Sequence, residues 1–524
     1  LTKETKPLGQ VTQYSYDAKS RLETKVDAKN QKVKYTYRSM DDALTTIEYY
    51  TTATDTTPAK TVTFTPDNNG NVLSATDDAI QTGPLYTSTY DALNRQDIVT
   101  NMYLNKILDY DYDAFGNRDL LTIKQGTTTL YTFDYTYTGL DQLKDLTAPG
   151  GTTSLTYWPT GRLKTKTFPT TPPSPPEGEG TTGLPSPLAG EGSPLSPSPL
   201  AGEGGVRGSY SYFPNGDLNT LTYKKADTTQ IMALSYTYDN AHNIDTKTLN
   251  SILYDYGYDD IYQLTSVTKA GVQTESFSYD PVGNRLTSID KQTWNYDDNN
   301  RLLSFNGTTM GYDDNGNTAS KVEGSVTDTY GYDFENRLTN YSNGTTSASY
   351  KYDPQGRRIE KTVSGTITRF LWDGNVMIAE LDSSNAITKF YTYNPQSNEP
   401  LAMTEGSNTY WYLTDHLMTP QKLINAAEDM VWSAEYKAFG EVTIDPASTV
   451  TNPLRFPSQY QDGESALSYN RFRTYSPVMG RYVQNDPVRT IWNLRKYSPK
   501  RLLALDYLLA HYLYTLNNPL RYFD

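Results

Sequence analysis

The 524-residue sequence contains no cysteine and only three histidines. These absences exclude disulfides, cysteine-based zinc sites and thiol nucleophiles, and make a histidine-rich metal site untenable. Aliphatic residues are scarce, with hydrophobic residues at 36% of the chain. Such a chain cannot fill a large oily core. No long apolar run is present either. The most apolar stretch, 502–516, carries Asp506 and His511 and is too short to span a bilayer. Basic residues are outnumbered 46 to 60, a net charge of −14, which argues against general phosphate-backbone binding and for solubility. The sequence opens at Leu1 without a methionine or a basic-then-apolar leader, and so reads as a fragment or processed product.

What is abundant is tyrosine. There are 46 Tyr against 14 Phe and 6 Trp. Aromatic residues are rare in disordered chains, so the composition points to extended β-structure with amphipathic faces. The tyrosines repeat in Tyr-Asp pairs at Tyr238, Tyr258, Tyr279, Tyr296, Tyr312, Tyr332 and Tyr352, spaced 20, 21, 17, 16, 20 and 20 residues apart. Weaker copies stand at Tyr16, Tyr90 and Tyr112. A period near 20 means an array of one small unit.

Within the unit, aromatics recur two apart, as in Tyr110/Tyr112, Tyr236/Tyr238 and Tyr350/Tyr352, which places both rings on one face of a strand. A turn follows: Asp-Ala-Phe-Gly-Asn-Arg at 113–118, Asp-Pro-Val-Gly-Asn-Arg at 280–285, Asp-Pro-Gln-Gly-Arg-Arg at 353–358. The Asp carboxylate accepts turn N–H groups, and Gly or Asn takes positive φ. A second strand closes the hairpin. The array is interrupted at 172–208, which holds 9 Pro and 9 Gly in 37 residues and repeats Pro-Ser-Pro-Leu-Ala-Gly-Glu-Gly at 185–192 and 197–204. No apolar face exists there to offset ordering, so a disordered surface loop is expected.

These units resemble YD repeats of the RHS/YD-repeat family. Downstream, Tyr412-Leu413-Thr414-Asp415-His416-Leu417, Tyr436-Lys437-Ala438-Phe439-Gly440-Glu441, Tyr469-Asn470-Arg471-Phe472-Arg473, Asp486-Pro487 and Tyr512-Leu513-Tyr514-Thr515-Leu516-Asn517-Asn518-Pro519 follow in order. That series resembles the RHS repeat-associated core of polymorphic and ABC-type toxins. The resemblance implies an all-β, YD-repeat hairpin array spiralling into a hollow shell, with a C-terminal core plug. Its parts are an N-terminal shell portion (1–171), the insert (172–208), a C-terminal shell portion (209–404) and the core (405–524).

By the same resemblance the chain is the encapsulating shell of a secreted or cell-surface bacterial toxin. Its partners would be a C-terminal toxin polypeptide as cargo and an N-terminal shell or secretion-system protein, with no nucleic acid and no cofactor. The alternative is an adhesion or carbohydrate-binding YD-repeat protein, its tyrosine faces stacking on sugars. The resemblance also implies aspartyl self-cleavage by Arg473, Asp486 and Asp524. Two carboxylates sharing a site keep one proton between them, which supplies an acid and a base, and an arginine steadies the oxyanion. The sequence departs from the family at Asp486-Pro487-Val488-Arg489-Thr490 and in an insertion over 489–511. There Leu502, Leu505, Leu509, Tyr512 and Leu516 follow helical spacing. The Pro-x-Gly-Leu that would hold the scissile bond does not occur before Asp524. The expectation is a shell without its cargo and with impaired cleavage. His416 is expected to be a buried structural histidine held by Asp415 or a backbone carbonyl.

Overall fold

The computed structural model describes residues 2–169, 205–485 and 512–521. Each repeat folds by the same local chemistry. In the turn at Asp113, the Oδ1 atom accepts the N–H groups of Phe115 (2.9 Å) and Asn117 (2.8 Å), while Asn117 Nδ2 donates to Oδ2 (3.1 Å). The backbone closes over it, Asp113 N donating to Asn117 O and Gly116 N to Asp113 O. Where the fifth turn residue is arginine, its Nε takes the place of the amide, as in Arg301 on Asp297 (2.6 Å) and Arg357 on Asp353 (2.7 Å). The fourth residue is left-handed, occupied by Gly116 and Gly356 but also by Asn94, Asn336, His242 and Met418. These hydrogen bonds to the carboxylate hold Asp113 and Asp239 below the ordinary aspartate range, against the opposing effect of burial.

Tyrosine links one repeat to the next. The phenol of the Tyr-Asp pair donates to the first strand carbonyl of the preceding repeat: Tyr238 to Leu218 O (2.9 Å), Tyr258 to Ile244 O (2.8 Å), Tyr332 to Thr318 O (2.8 Å), Tyr352 to Leu338 O (2.6 Å). Trp372 performs the same task through Nε1 on Arg358 O (2.8 Å). The ladder register slips by one residue at each such tyrosine, for example between Asp111 and Tyr112 and between Lys351 and Tyr352. A bulge at every repeat adds twist, so the ribbon curls.

Consecutive strands pair antiparallel from Lys3–Thr5 through Arg285–Ser288, a ribbon of 23 strands. A second ribbon of 16 strands runs from Asn295–Tyr296 to Val442–Ile444, and a four-stranded sheet follows over Tyr460–Asp462, Leu467–Asn470, Arg473–Ser476 and Arg481–Tyr482. The two ribbons are one spiral. Asn299 Nδ2 donates to Gln10 Oε1 (2.8 Å) across 289 residues, so the chain returns beside its start. Later contacts follow in the same order: Asn315 to Asp27, Glu335 to Tyr49, Gln355 to Tyr86, Asp373 to Arg118 and Thr414 to Tyr223. The sequence separation falls to 255 at Arg118–Asp373 and to 163 at Glu275–Ala438, so the spiral narrows. Where the turns meet, aromatic rings pack: Phe133 on Phe390 and Phe277 on Phe439, each with centroids 5.0 Å apart. The all-β expectation holds, with a single short 3-10 turn at Thr515–Asn517 among the described residues.

Two boundaries move. Strand Leu163–Thr167 pairs directly with Arg207–Tyr212, and Phe168 N donates to Val206 O. Residues 205–208, read as insert, therefore belong to the ribbon, because Val206 is buried and Gly208 lies against the Tyr223 ring. Residues 405–444, read as core, continue the second ribbon. The rest of the insert and the helix expected over 489–511 lie outside the described residues. The last two positions of that helical pattern do not continue it. Leu513 bridges to Arg481 beside Tyr512, and Thr515, Leu516 and Asn517 are all left-handed, with φ of 49, 53 and 61°.

Candidate functional site

The C-terminal sheet is pinned onto the second ribbon by a buried cluster of four charges. Arg358 Nη1 meets Asp462 Oδ2 at 2.6 Å, and Lys361 Nζ lies 3.2 Å from Asp462 Oδ1 and 3.1 Å from Glu464 Oε2. The Arg358 guanidinium also sits among the rings of Tyr469 (4.3 Å), Phe370 (5.1 Å), Tyr350 (5.2 Å) and Tyr460 (5.3 Å). Burial works against its charge, but the Asp462 carboxylate and the surrounding phenols hold its basicity above the usual value.

Of the three residues assigned to self-cleavage, Arg473 is described, while Asp486 and Asp524 lie outside the described residues. Arg473 opens the strand Arg473–Ser476, half-buried, with its guanidinium 3.5 Å from the centre of the Tyr482 ring. Tyr475 pairs with Tyr482, Val483 N donates to Thr474 O, and Thr474 N donates to Gln484 Oε1 (2.7 Å). Residues 481–485 thus run alongside Arg473. Both flanks of 486–511 attach to one turn: Asn485 Nδ2 donates to Asn315 O (2.7 Å) and Tyr512 OH to Gly316 O (2.6 Å).

From Tyr512 the chain crosses the edge of the array, reading one turn after another through backbone carbonyls. Asn517 Nδ2 donates to Gly283 O (2.8 Å), Asn518 Nδ2 to Tyr262 O (3.0 Å), and Arg521 Nη1 to Ala241 O (2.7 Å). Arg481 Nη2 adds Asn300 O (2.8 Å). Five successive turns therefore have a third- or fourth-residue carbonyl satisfied by the C-terminal segment. These carbonyls lie outside the strand ladders and need a partner once covered. Arg521 stands four turns from Asn485, roughly 40 Å along the curved edge at two strands per repeat.

His416 is where the same segment meets the second ribbon. Its Nε2 lies 2.8 Å from Leu520 O, and its ring lies 4.9 Å from that of Tyr236. Burial lowers its basicity, offset in part by Asp415. The histidine is structural, as the sequence indicated, with a carbonyl as its partner. It borders a cavity of about 320 Å3, also lined by Tyr254, Tyr256, Glu275 and Lys247. Burial raises the Glu275 carboxyl, although Ala438 N–H donates to it (2.9 Å). Among the described residues no group of three His, Asp or Glu is placed to hold a metal, and no helix is long and apolar enough to cross a membrane.

Sequence reasoning missed the turn-reading residues Arg481, Asn485, Asn517, Asn518 and Arg521. Their signal was present only as an Asn-Asn-Pro motif, since nothing local announces that an amide or guanidinium will meet a carbonyl 170 to 280 residues away. The Tyr-Asp phenols were expected as cross-strand ladders or sugar platforms. They are engaged in the ladder.

Comparison with known proteins agrees with this architecture. Residues 1–37 match the RHS repeat model. Double-stranded DNA deaminase toxin A of Burkholderia cenocepacia is 28% identical over 140 residues, 23% of this chain and 10% of that protein. Toxin protein Tse5 of Pseudomonas aeruginosa is 37% identical over 78 residues, 15% of this chain and 6% of Tse5. The chain thus spans a small part of these toxins. A crystal structure of TcdB2–TccC3–Cdc42 superposes on 98% of this chain and 30% of its own, with a TM-score of 0.58 at 14% identity. A Photorhabdus luminescens Tc holotoxin pore gives 0.52 at 14%, covering 98% of this chain and 33% of its own. At that identity the likeness shows the fold, a spiral β-shell. The teneurin YD-shell model matches residues 214–520, more than half of the sequence, and the chain belongs to that family.

Proposed function

We propose that the chain is part of the encapsulating shell of a secreted bacterial toxin, and that its cargo is a toxin polypeptide joined to the C-terminal core. The carrying observation is the C-terminal segment itself. Together with Arg481 and Asn485 it is stitched side chain to carbonyl onto five successive turns, a placement suited to bringing a following polypeptide into the shell. Relatives named as toxins support the cargo class. The test is protease protection. A reporter polypeptide fused after Asp524 should resist proteinase K in the folded protein and become sensitive once the shell is unfolded in urea. Digestion of the reporter at the rate of the same polypeptide alone would overturn the proposal.

Self-cleavage by Arg473, Asp486 and Asp524 belongs to the same reading as an ancestral activity. Support for the site comes from residues 481–485 running beside Arg473. The path of Tyr512–Arg521 away from Asn485 supports its loss. A Pro-x-Gly-Leu linker and a reporter placed after Asp524 supply a scissile bond in cis, where proximity replaces binding. The fusion should remain intact from pH 4 to pH 8. Cleavage that disappears in Asp486→Asn would refute the loss and establish a working peptidase.

A further inference from the structure

Three separate parts of the chain wall the cavity beside His416. The first ribbon contributes strands from Ile244–Leu249 to Val272–Tyr279, the second its Asp415 turn and strand Met430–Tyr436, and Pro519 and Leu520 close the third side. At about 320 Å3 the cavity has the size of a small ligand site. The rings of Tyr254, Tyr256 and Phe456, each at most 7% exposed, give it flat apolar surface.

The polar groups in these walls are ones the fold leaves over. At two other repeats the phenol two residues before the Tyr-Asp pair donates to a carboxylate: Tyr110 to Asp373 Oδ1 (3.0 Å) and Tyr350 to Glu464 Oε1 (2.9 Å). Tyr256 holds the same position before Tyr258, yet its hydroxyl has no hydrogen-bond partner among the described residues. His416 Nε2 faces the Leu520 carbonyl, which only accepts. That nitrogen therefore carries the ring proton, and Nδ1 is an acceptor, buried and without a partner. Among the cations, Lys269 is paired with Glu435, and Lys437 with Glu441 and Asp290. The Asp415 carboxylate is occupied within its own turn by the N–H groups of Leu417 and Thr419 and by Gln421 Nε2. Burial pushes Glu275 toward its neutral form. Lys247 is left. Its ammonium lies over the Tyr254 ring at 4.6 Å and pairs with no carboxylate among the described residues.

We propose that this cavity binds a small aromatic carboxylate that carries a hydrogen-bond donor on its ring. The carboxylate pairs with the Lys247 ammonium and accepts the Tyr256 hydroxyl, the ring lies against Tyr254 and Phe456, and the ring donor meets His416 Nδ1. Charge selects the class. A cationic ligand would face Lys247, and a neutral one would leave the ammonium without a counter-charge. All five contacting residues lie within 247–456, in the two ribbons and the loop after them. Pro519 and Leu520 form a wall, so an occupied cavity also ties the C-terminal segment to both ribbons. The site does not require the encapsulation reading.

The test is isothermal titration calorimetry of the full chain at pH 7 with 4-hydroxyphenylacetate as the probe. One molecule should bind per chain, with a dissociation constant of about 1 mM or tighter. Phenylacetate, which lacks the ring donor, should bind at least about threefold weaker, and 4-hydroxyphenylacetamide and tyramine at least about tenfold weaker. Lys247→Met and Tyr256→Phe should each weaken binding by about tenfold. Removing an unpartnered hydroxyl costs the fold little, which an unchanged urea midpoint in Tyr256→Phe checks. Absence of binding, a neutral or cationic analogue or phenylacetate binding as tightly as the probe, or unchanged affinity in either variant would each overturn the proposal.

Discussion

The Arg358–Asp462 pair decides whether the C-terminal sheet is welded to the spiral or merely rests on it. Side chains of the two residues are 3% and 1% exposed, and with Lys361 and Glu464 they form a cluster of two positive and two negative charges. Replacing Arg358 by Met leaves two carboxylates facing one ammonium in a site closed to water. Replacing Asp462 by Leu leaves two cations facing one carboxylate. Breaking a buried pair by removing one partner costs about 3–5 kcal/mol, because the remaining charge is left uncompensated. Removing both leaves Lys361 with Glu464 at 3.1 Å, a balanced pair, so the double variant should lose only about 1–2 kcal/mol. The double-mutant cycle, read by urea denaturation, should give a coupling energy of at least ~3 kcal/mol. Hydrogen exchange should accelerate most at 460–482 in each single variant. A single variant within ~0.5 kcal/mol of the parent, or a double variant as costly as the two singles summed, would refute the idea that these charges clamp the sheet.

The tyrosine ladder predicts that Tyr352→Phe, which strands the buried Leu338 carbonyl, costs about 1–3 kcal/mol, whereas Phe in place of the exposed Tyr262 changes denaturant midpoints little. His416 is held below its ordinary basicity in the folded protein, so its contribution is complete above pH ~6.5 and is lost as pH falls through the lowered value. Melting temperature should therefore decline below pH ~6.5 in the parent and less steeply in His416→Gln. Leu516→Gly should stabilise by up to ~1 kcal/mol in chemical denaturation, since a half-exposed leucine at φ 53° gives up strain and little burial. Deleting 172–204 should leave the melting temperature within ~2 °C, because the strands on either side already pair with each other.

The repeat was legible in the sequence because everything it needs lies within a few residues. Asp113, Gly116 and Asn117 form a closed hydrogen-bonding set, and each such set can be read off a ten-residue window. The curl was partly legible, since a period of about 20 with a fixed turn implies regular hairpins. The narrowing of the spiral was not. It depends on how far each ribbon advances between contacts such as Gln10–Asn299 and Arg118–Asp373, a property of accumulated twist that no window contains. The boundary at 208 was misplaced for a simple reason. Gly205, Val206 and Gly208 extend the glycine-rich composition of the insert, while pairing with Leu163–Thr167 decides their fate.

The candidate site shows the same division more sharply. His416 was legible as a structural residue because a lone histidine among few others has no metal partner to find, and its actual partner is a main-chain carbonyl that any residue can offer. Arg473 was legible only through family resemblance, and its local setting is a cation over the Tyr482 ring. The residues that attach the C-terminal segment are amides and guanidinia that recognise backbone, and backbone recognition leaves no complementary signature in the partner sequence. That same indifference explains how Arg481 and the Tyr512–Arg521 segment together read five turns of different composition. The carbonyls of Ala241, Tyr262, Gly283, Asn300 and Gly316 present the same acceptor at the same repeat spacing whatever side chains surround them.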